Sequence, residues 1–423
     1  MQSRPMLGVA AAGAGAAAVL VWWAQRRRRR RRVLVVGSIN VDLFKDLEDS
    51  KVRLGQASVD MASVKGQTLP AKSFVQRPEI AAQLKNAGPC DDAEALLLGV
   101  AGPFVQKTGG KGANAAAAAG QTATCEFLGN LGSASEASNV QLLADLKTYG
   151  NVDTSRCQLL NGPTGTAYIF KYDDNDNAIL LLGGANQSWA DESELRRGGL
   201  RRAVAGAAAV MLQREIPDYV NRVVAQLARE SGAVVCMDVG GSDAPLDAAL
   251  LPYIDVVAPN ESELTFISGV ETKSAGVVHK ALVRQAVGAM KAKFRAAGNQ
   301  GVEVLVTLGE HGSMHFGRDW DGKGVENDRG LLPQECRMER FLLMTPDGKP
   351  SDTTGAGDCY RGSYVAARYA DGMNVEAAMR WAAAAGSCAV EVQGAMPSMP
   401  SRSQIEARLA AGRQAPGRSS FDL

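Results

Sequence analysis

The chain has few cysteines and few histidines, and their spacing excludes several kinds of site. Its 423 residues include seven cysteines, and the closest two, Cys336 and Cys359, lie 23 positions apart. Without a Cys-x-x-Cys pair, a zinc ribbon or a disulfide scaffold is disfavoured, and a reducing compartment fits best. Among the histidines, His311 and His315 are four apart, but Gly312 argues against a helix that would present both to a metal.

Two common nucleotide-binding motifs are also missing. No Gly-x-Gly-x-x-Gly follows a predicted strand, which disfavours a dinucleotide-binding fold. After Lys111, Gly112 stands where a Walker A loop requires Ser or Thr. Any phosphate site must therefore be built in another way.

The main part of the chain has no excess of basic residues. Eight of the 46 basic residues are Arg4 and the arginines at 26–32, so the other 38 face 45 acidic residues, a net charge of −7. A nucleic-acid-binding protein needs a basic face, and nucleic acid is therefore not expected as a partner. Apolar residues at 46% and charged residues at 22% are typical of a globular protein with a sizeable core.

The first 32 residues are expected to lie outside the fold. Residues 6–24 form a run of 19 without a charge, and seven arginines follow at 26–32. Such a run just suffices to span a bilayer as a helix, with the arginines on the cytosolic side. Because the charges follow the apolar run, a cleaved secretory signal is disfavoured. The folded domain is expected in the cytoplasm. Three interpretations of residues 6–32 stay open: a membrane anchor, an organelle-targeting segment and a plain extension.

From residue 33 onward, short apolar runs alternate with helical stretches. The runs at 33–37, 233–237 and 302–306 are typical of buried parallel strands. Helical stretches such as 219–230 and 277–297 separate them. This alternation predicts an α/β fold with a doubly wound, mostly parallel sheet flanked by helices.

Two segments depart from this alternation. Residues 167–182 predict a β-hairpin whose turn is the polar cluster at 173–177. A calcium loop is the alternative, but Ala178 and Gly184 occupy the positions where that loop needs Gly and Glu. Residues 75–103, which contain several prolines and glycines, predict a surface insertion.

The most informative segment is Asp352-Thr353-Thr354-Gly355-Ala356-Gly357-Asp358, which precedes a helical stretch. Small residues before a helix let backbone N–H groups converge on an anion, and the helix dipole adds positive potential. Asp358 lies where a carboxylate can accept a proton from a hydroxyl that attacks a phosphoryl group. An ordinary loop with an N-cap has the same residue types, so this segment alone leaves both interpretations open.

Two further segments are typical of ligand sites. The glycines of segment 109–114 allow a ligand to approach the backbone closely, and Asn114 offers both a donor and an acceptor. Segment 37–42 follows the first strand, at the edge where open α/β sheets bind ligands. Asn40 and Asp42 point the same way from an extended chain, which suits binding of vicinal hydroxyls. A helix-start turn and a solvated strand end are the alternatives.

Together these motifs resemble the ribokinase-like sugar kinases of the phosphofructokinase-B type, over residues 33–410. The matching segments are, in chain order, 37–42, 109–114, 212–215, 260–263, 307–312 and 352–358. The resemblance implies one kinase domain with a small β lid, in or beside which the 75–103 insertion falls. An extension at 1–32 would precede the domain, and a tail at 411–423 would follow it.

The resemblance also implies an activity, the phosphorylation of D-ribose at its 5-hydroxyl by ATP to give D-ribose 5-phosphate. ATP, Mg²⁺ and K⁺ would be the cofactors, and a homodimer contact through the lid is a further expectation. A fructokinase, a nucleoside kinase and a catalytically silent scaffold are the alternatives. Lys111 and Gly112 favour ribose, because the related kinases usually carry other residues there.

The resemblance finally assigns residues to roles. Asp358 would be the catalytic base. The sugar would be bound by Asn40, Val41, Asp42, Gly110, Lys111, Gly112, Ala113, Asn114, Glu215 and Asp358. ATP would contact Asn260, Thr307, Leu308, Gly309, Glu310, His311, Gly312, Gly355, Ala356, Gly357, Asp358 and Ala383, the last standing where relatives often carry Asn or His. Potassium would be held by Asp352, Thr354, Ala389, Val392, Gly394 and Ser398, and Glu263 would help to order magnesium.

Overall fold

The fold is taken from a computed structural model of the chain. It describes residues 32–54, 57–65, 67–84, 97, 100, 103–173, 177–242, 244–327 and 329–412. The predicted extension up to residue 31, the tail from residue 413 and residues 85–96 of the predicted insertion lie outside the described residues.

The elements alternate along most of the chain, as predicted. The strands are β1 Arg32–Val36, β2 Asn40–Asp46, β3 Lys51–Leu54, β4 Ala57–Asp60, β5 Thr68–Pro70, β6 Val105–Gly109, β7 Thr124–Leu128, β8 Asn130–Leu131, β9 Val152–Asp153, β10 Gln158–Leu159, β11 Gly165–Lys171, β12 Asn177–Leu182, β13 Ala209–Leu212, β14 Val234–Met237, β15 Val256–Val257, β16 Lys273–Ser274, β17 Val277–Val278, β18 Glu303–Thr307, β19 Ser313–Phe316 and β20 Glu335–Met338. The helices are α1 Ala71–Val75, α2 Pro78–Leu84, α3 Lys111–Thr122, α4 Ala137–Gly150, α5 Glu192–Arg197, α6 Leu200–Ala205, α7 Asp218–Ser231, α8 Glu261–Ser268, α9 Lys280–Ala296, α10 Ala356–Val365, α11 Val375–Ala389 and α12 Arg402–Ala411.

A nine-stranded sheet forms the centre of the molecule, in the order β20-β19-β18-β15-β14-β13-β1-β7-β9. The strands from β18 to β9 are parallel, and β19 and β20 add an antiparallel edge. Successive side chains of β1 enter opposite cores, because strand residues alternate between faces. Val33 and Val35 pack with residues of α3, α10 and α11, whereas Leu34 and Val36 pack with residues of α7 and α9. The predicted doubly wound α/β fold is confirmed.

A second sheet of five strands, in the order β5-β12-β11-β2-β6, forms the lid. The predicted hairpin at 167–182 is its antiparallel pair β11–β12. Alternate residues of β2 and β11 face opposite sides. Asn40, Asp42 and Ile169 line a cleft on the inner side, and Tyr168 and Phe170 belong to an apolar cluster on the outer side.

The outer face of the lid is covered by the chain itself. Buried apolar residues from residues 47–100, among them Val59 and Phe74, pack against Tyr168, Phe170 and Leu180 of the lid. The elements of this segment outside the lid sheet are β3, β4, α1 and α2. Residues on both sides of the predicted boundary at residue 75, such as Phe74 and Ile80, thus pack in one cluster with the outer face of the lid.

The first described residue is part of the folded domain. Arg32 opens β1 and forms an ion pair with buried Glu126, to which Arg156 also pairs. A buried carboxylate requires such partners, which explains why the last arginine of the run belongs to the fold. At the other end, α12 continues to Ala411 and Gly412 caps it. Over residues 32–412 as described, no helix is long and apolar enough to cross a membrane.

Candidate active site

A cleft of about 700 Å³ lies between the central sheet and the inner face of the lid. Glu215, Asn260 and Thr307, which line it, lie at or just after the ends of β13, β15 and β18. The cleft is therefore at the carboxyl edge of the parallel strands, where open α/β sheets bind ligands. Ile169 and Leu181 give the lid side of the cleft an apolar lining.

Polar groups of β2 form the lid side of one half of the cleft. Asn40 Oδ1 accepts a hydrogen bond of 2.7 Å from Asn186 Nδ2. Asp42 is 5% exposed, and its Oδ1 has no hydrogen-bond partner among the described residues. Burial, together with the carboxylates of Glu215 and Asp358, holds the pKa of Asp42 well above its ordinary value. An unpartnered buried oxygen is the kind of group that a ligand hydroxyl satisfies.

Glu215 connects β13 to the start of α3. Its Oε2 accepts hydrogen bonds from Ser38 Oγ at 2.6 Å and from the backbone N of Lys111 at 3.0 Å. Burial raises the pKa of Glu215, and the Lys111 ammonium opposes that rise. Gly110 has a φ of +95°, and a Cβ there would lie 2.9 Å from the backbone N of Asn40. Only glycine therefore brings this turn so close to β2.

Asp358 lies in the first turn of α10, which follows Gly355 in a left-handed conformation with a φ of +75°. Its carboxylate is buried, accepts a hydrogen bond of 3.0 Å from Asn114 Nδ2 and lies 3.8 Å from Lys111 Nζ. Burial raises the pKa of Asp358, and the Lys111 and Arg361 cations counteract this. A buried carboxylate with a raised pKa beside a cation is suited to accept a proton.

A cluster of charges lies beside Asp358. Lys111 Nζ is 3.3 Å from Asp238 and 3.9 Å from Glu263. The carboxylates of Asp238, Asp358 and Glu263 raise the pKa of Lys111 although burial alone would lower it. Gly240 leaves room for this cluster, since a Cβ there would lie 2.3 Å from Glu263 Oε1.

Asp238, Arg361 and Asn186 are polar residues of the site that were not predicted from the sequence. Asp238 directly follows β14, and its place at the carboxyl end of a strand was a signal that could have identified it. Arg361 lies one helical turn after Asp358, a spacing that brings side chains together. Asn186 lies in a 3₁₀ turn after β12, and its amide bonds to both Ile39 backbone groups, which only the tertiary fold reveals.

The other half of the cleft is formed by loops and the start of α10. The backbone N of Thr307 donates to Pro259 O at 3.0 Å, so the loops after β15 and β18 are adjacent. Asn260 caps α8 in a capping box with Glu263, in which each side chain accepts a hydrogen bond from the other backbone N. The predicted nucleotide residues that line this half are Asn260, Thr307, Gly309, Glu310, Gly312, Gly355, Ala356, Gly357 and Ala383.

Five predicted ligand residues are not among those that line the cleft. Val41 packs on the apolar core, and Leu308 lies in the core on the other side of the sheet. Gly112 and Ala113 are buried in the first turn of α3, and His311 is buried in its 3₁₀ turn. These five residues are therefore packed inside the fold rather than lining the cleft.

The predicted potassium residues lie on two adjacent segments. Asp352 Oδ1 accepts a hydrogen bond from the backbone N of Thr354, and Oδ2 accepts one from that of Gly394, both at 2.9 Å. These hydrogen bonds lower the pKa of Asp352 although burial alone would raise it, so the carboxylate stays ionised. Ala389, Val392 and Ser398 lie on the same segment as Gly394. Carboxylate, carbonyl and hydroxyl oxygens are donors that hard cations prefer.

Comparison with known proteins identifies the family. The family described as pfkB family carbohydrate kinase matches residues 94–402, which is more than half of the chain. The chain belongs to the pfkB family of carbohydrate kinases. This pfkB-family chain is 30% identical over 376 residues to the ribokinase of Arabidopsis thaliana, a match that covers 88% of this chain and 79% of that protein.

Two further similarities agree with this family. The ribokinase of Haemophilus influenzae is 28% identical over 306 residues, which cover 70% of this chain and 85% of that protein. The solved structure of Arabidopsis thaliana ribokinase complexed with ribose and ATP has a TM-score of 0.64 and 29% identity to this chain. The match covers 90% of this chain and 99% of the chain in that structure. The pfkB-family member described here is thus a ribokinase-like sugar kinase, as the motifs predicted.

Proposed function

We propose that this kinase transfers the terminal phosphoryl group of ATP to the 5-hydroxyl of D-ribose and releases D-ribose 5-phosphate and ADP. The observation that carries the proposal is the place of Asp358, between the polar groups of β2 and α3 and the loops after β15 and β18. The similarity to a ribokinase complexed with ribose and ATP supports the same pair of substrates.

In the proposed reaction, Asp358 accepts the proton of the 5-hydroxyl as that oxygen attacks the phosphorus atom. Asn114 holds the carboxylate in place through its 3.0 Å hydrogen bond. The backbone N–H groups at 355–357 stabilise the charge that develops on the transferred group. We propose that Lys111, predicted to bind the sugar, also stabilises this charge, because its ammonium lies 3.8 Å from Asp358. Asn40, Asp42 and Glu215 bind the other hydroxyls of the sugar.

Glu263 is the residue that would help to hold magnesium. Its Oε2 already accepts hydrogen bonds from the backbone N of Asn260 at 2.8 Å and from Arg361 at 3.1 Å. The carboxylate therefore fits an indirect role, in which it binds water molecules around the ion. When bound, magnesium supplies charge neutralisation on the phosphate groups.

A panel of ribose, deoxyribose, fructose and adenosine with ATP tests the proposed substrate. Ribose is expected to give the highest kcat/KM of the four. A preference for fructose or adenosine would replace ribose with that substrate, and no ATP consumption with any of them would support the silent scaffold.

Potassium is expected to raise the turnover. A cation between Asp352 and the 389–398 segment would fix the geometry of the neighbouring 355–358 loop and compensate the Asp352 carboxylate. Initial rates are compared in potassium and in a bulky organic cation at matched ionic strength. Asp352→Asn should show the same initial rate in both salts. Equal rates in the two salts with the unchanged enzyme would refute the cation site.

We propose that residues 1–31 determine where the enzyme resides, with the kinase domain on the cytosolic side of a membrane or inside an organelle. The arginine run favours an anionic membrane surface by about 1 kcal/mol per charge. A chain that begins at Arg32 should keep full activity and stay in the soluble fraction of cells, whereas the full chain should partition to membranes or be imported.

Cell fractionation of both forms measures this difference. A chain that begins at Val33 is the matched control, because it loses the Arg32–Glu126 ion pair and should show a lower Tm. If the full chain stays in the soluble cytosolic fraction, the anchor and targeting interpretations both fail.

A further inference from the structure

Arg361 is more buried than Lys111, and all three nitrogens of its guanidinium donate hydrogen bonds. Its side chain is 5% exposed. Nε donates to Ala258 O at 2.9 Å, one terminal nitrogen to Asp238 Oδ2 at 3.2 Å and the other to Glu263 Oε2 at 3.1 Å. A planar guanidinium can hold these three acceptors at fixed angles, which an ammonium cannot do.

Arg361 and Lys111 share the same three carboxylates. Arg361 lies 3.2, 3.1 and 3.7 Å from Asp238, Glu263 and Asp358, and Lys111 lies 3.3, 3.9 and 3.8 Å from them. Lys111 is the more accessible cation, with 19% of its side chain exposed.

Arg361 also lies against Gly357 in the first turn of α10. A Cβ on Gly357 would be 2.9 Å from a terminal nitrogen of Arg361, so the absence of a side chain at 357 admits the guanidinium. Its positive charge therefore lies next to the backbone groups proposed to bind the transferred phosphoryl group.

We propose that Arg361 is a positioning residue that holds Asp238 and Glu263 in place and leaves the Lys111 ammonium available to the transferred phosphoryl group. This inference rests on the proposed function. Arg361 acts through its neighbours, so its loss should affect the rate of phosphoryl transfer more than the binding of sugar.

Steady-state kinetics of Arg361→Gln test the inference. We expect kcat to fall about 100-fold, the size typical of a misplaced catalytic group. The KM for sugar should change by less than about threefold, since the hydrogen bonds of Arg361 go to Ala258, Asp238 and Glu263 rather than to the sugar-binding residues of β2. Arg361→Lys keeps the positive charge but lacks the planar guanidinium, and its kcat should fall about 10-fold.

A compensating variant keeps the test valid if Arg361→Gln is unstable. Asp238→Asn combined with Arg361→Gln removes one charge of each sign and should recover about 10-fold in kcat over Arg361→Gln alone, because residues in contact couple.

Arg284→Gln is the matched control, since it removes a partly buried arginine paired with Glu335 at 2.7 Å outside the cleft. It should lower the Tm and leave kcat unchanged.

The outcomes separate the inference from the proposed function. If the unchanged enzyme phosphorylates no sugar of the panel, the proposed function fails and the inference fails with it. If the unchanged enzyme is active and Arg361→Gln keeps a normal kcat, or loses sugar affinity and kcat equally, only the inference is overturned.

Discussion

Asp358→Asn is expected to lower kcat by about 10²–10⁴-fold, the range typical for loss of a general base, and to leave the fold intact. The amide can still accept the hydrogen bond from Asn114, but it cannot accept the proton of the attacking hydroxyl. Steady-state rates and the Tm of both proteins measure the effect. Asp247→Asn removes a carboxylate paired with Arg222 at 2.6 Å outside the cleft, and as the matched control it should keep the normal rate.

The dependence of the rate on pH is a second readout for Asp358. Because burial raises the pKa of Asp358, the carboxyl stays protonated to a higher pH than an ordinary aspartate, and the protonated form cannot act as the base. The kcat of the unchanged enzyme should therefore rise with pH through that pKa. Asp358→Asn should lack this rise, and turnover near normal in the folded variant would remove Asp358 from the base role.

Asp42→Ala is expected to lower kcat/KM for the sugar by about 10- to 100-fold, since a buried hydroxyl left without its hydrogen-bond partner costs about 1–3 kcal/mol. The affected atom is the buried Oδ1, which has no partner among the described residues and is proposed to accept a sugar hydroxyl. The affinity for ADP, measured by calorimetry, should stay within about twofold, because Asp42 is on the lid strand β2 and the proposed nucleotide loops follow β15 and β18.

Asp42→Asn is the conservative companion, because it keeps the volume beside Gly109, where a Cβ would lie 1.8 Å from Asp42 Oδ2. It should also lose sugar affinity. An equal loss of ADP affinity in either variant would show that the division of the cleft into a sugar half and a nucleotide half is wrong.

Local pattern was sufficient to predict the fold class. The apolar runs at 33–37 and 302–306 became β1 and β18 within about a residue, because strands buried on both faces have few polar residues. The polar turn at 173–177 predicted the hairpin β11–β12 for the same local reason. The spacing of two between Asn40 and Asp42 predicted their shared face correctly.

Long-range features could not be predicted in this way. The segment from residue 47 covers the lid because Phe74 and Tyr168, almost 100 positions apart, pack in one cluster. Arg361 and Arg32 are ordinary basic residues in the sequence, and only the carboxylates brought to them by other elements explain their burial. Charged residues are therefore the part of this site that sequence patterns predict least well.

The most direct test of the proposed function is ³¹P NMR of the product formed from D-ribose, ATP, magnesium and the full chain. We expect ribose-dependent release of ADP and a single new resonance that matches D-ribose 5-phosphate. Absence of ribose-dependent ADP release, or a phosphate on any hydroxyl other than the 5-hydroxyl, would contradict the proposed function.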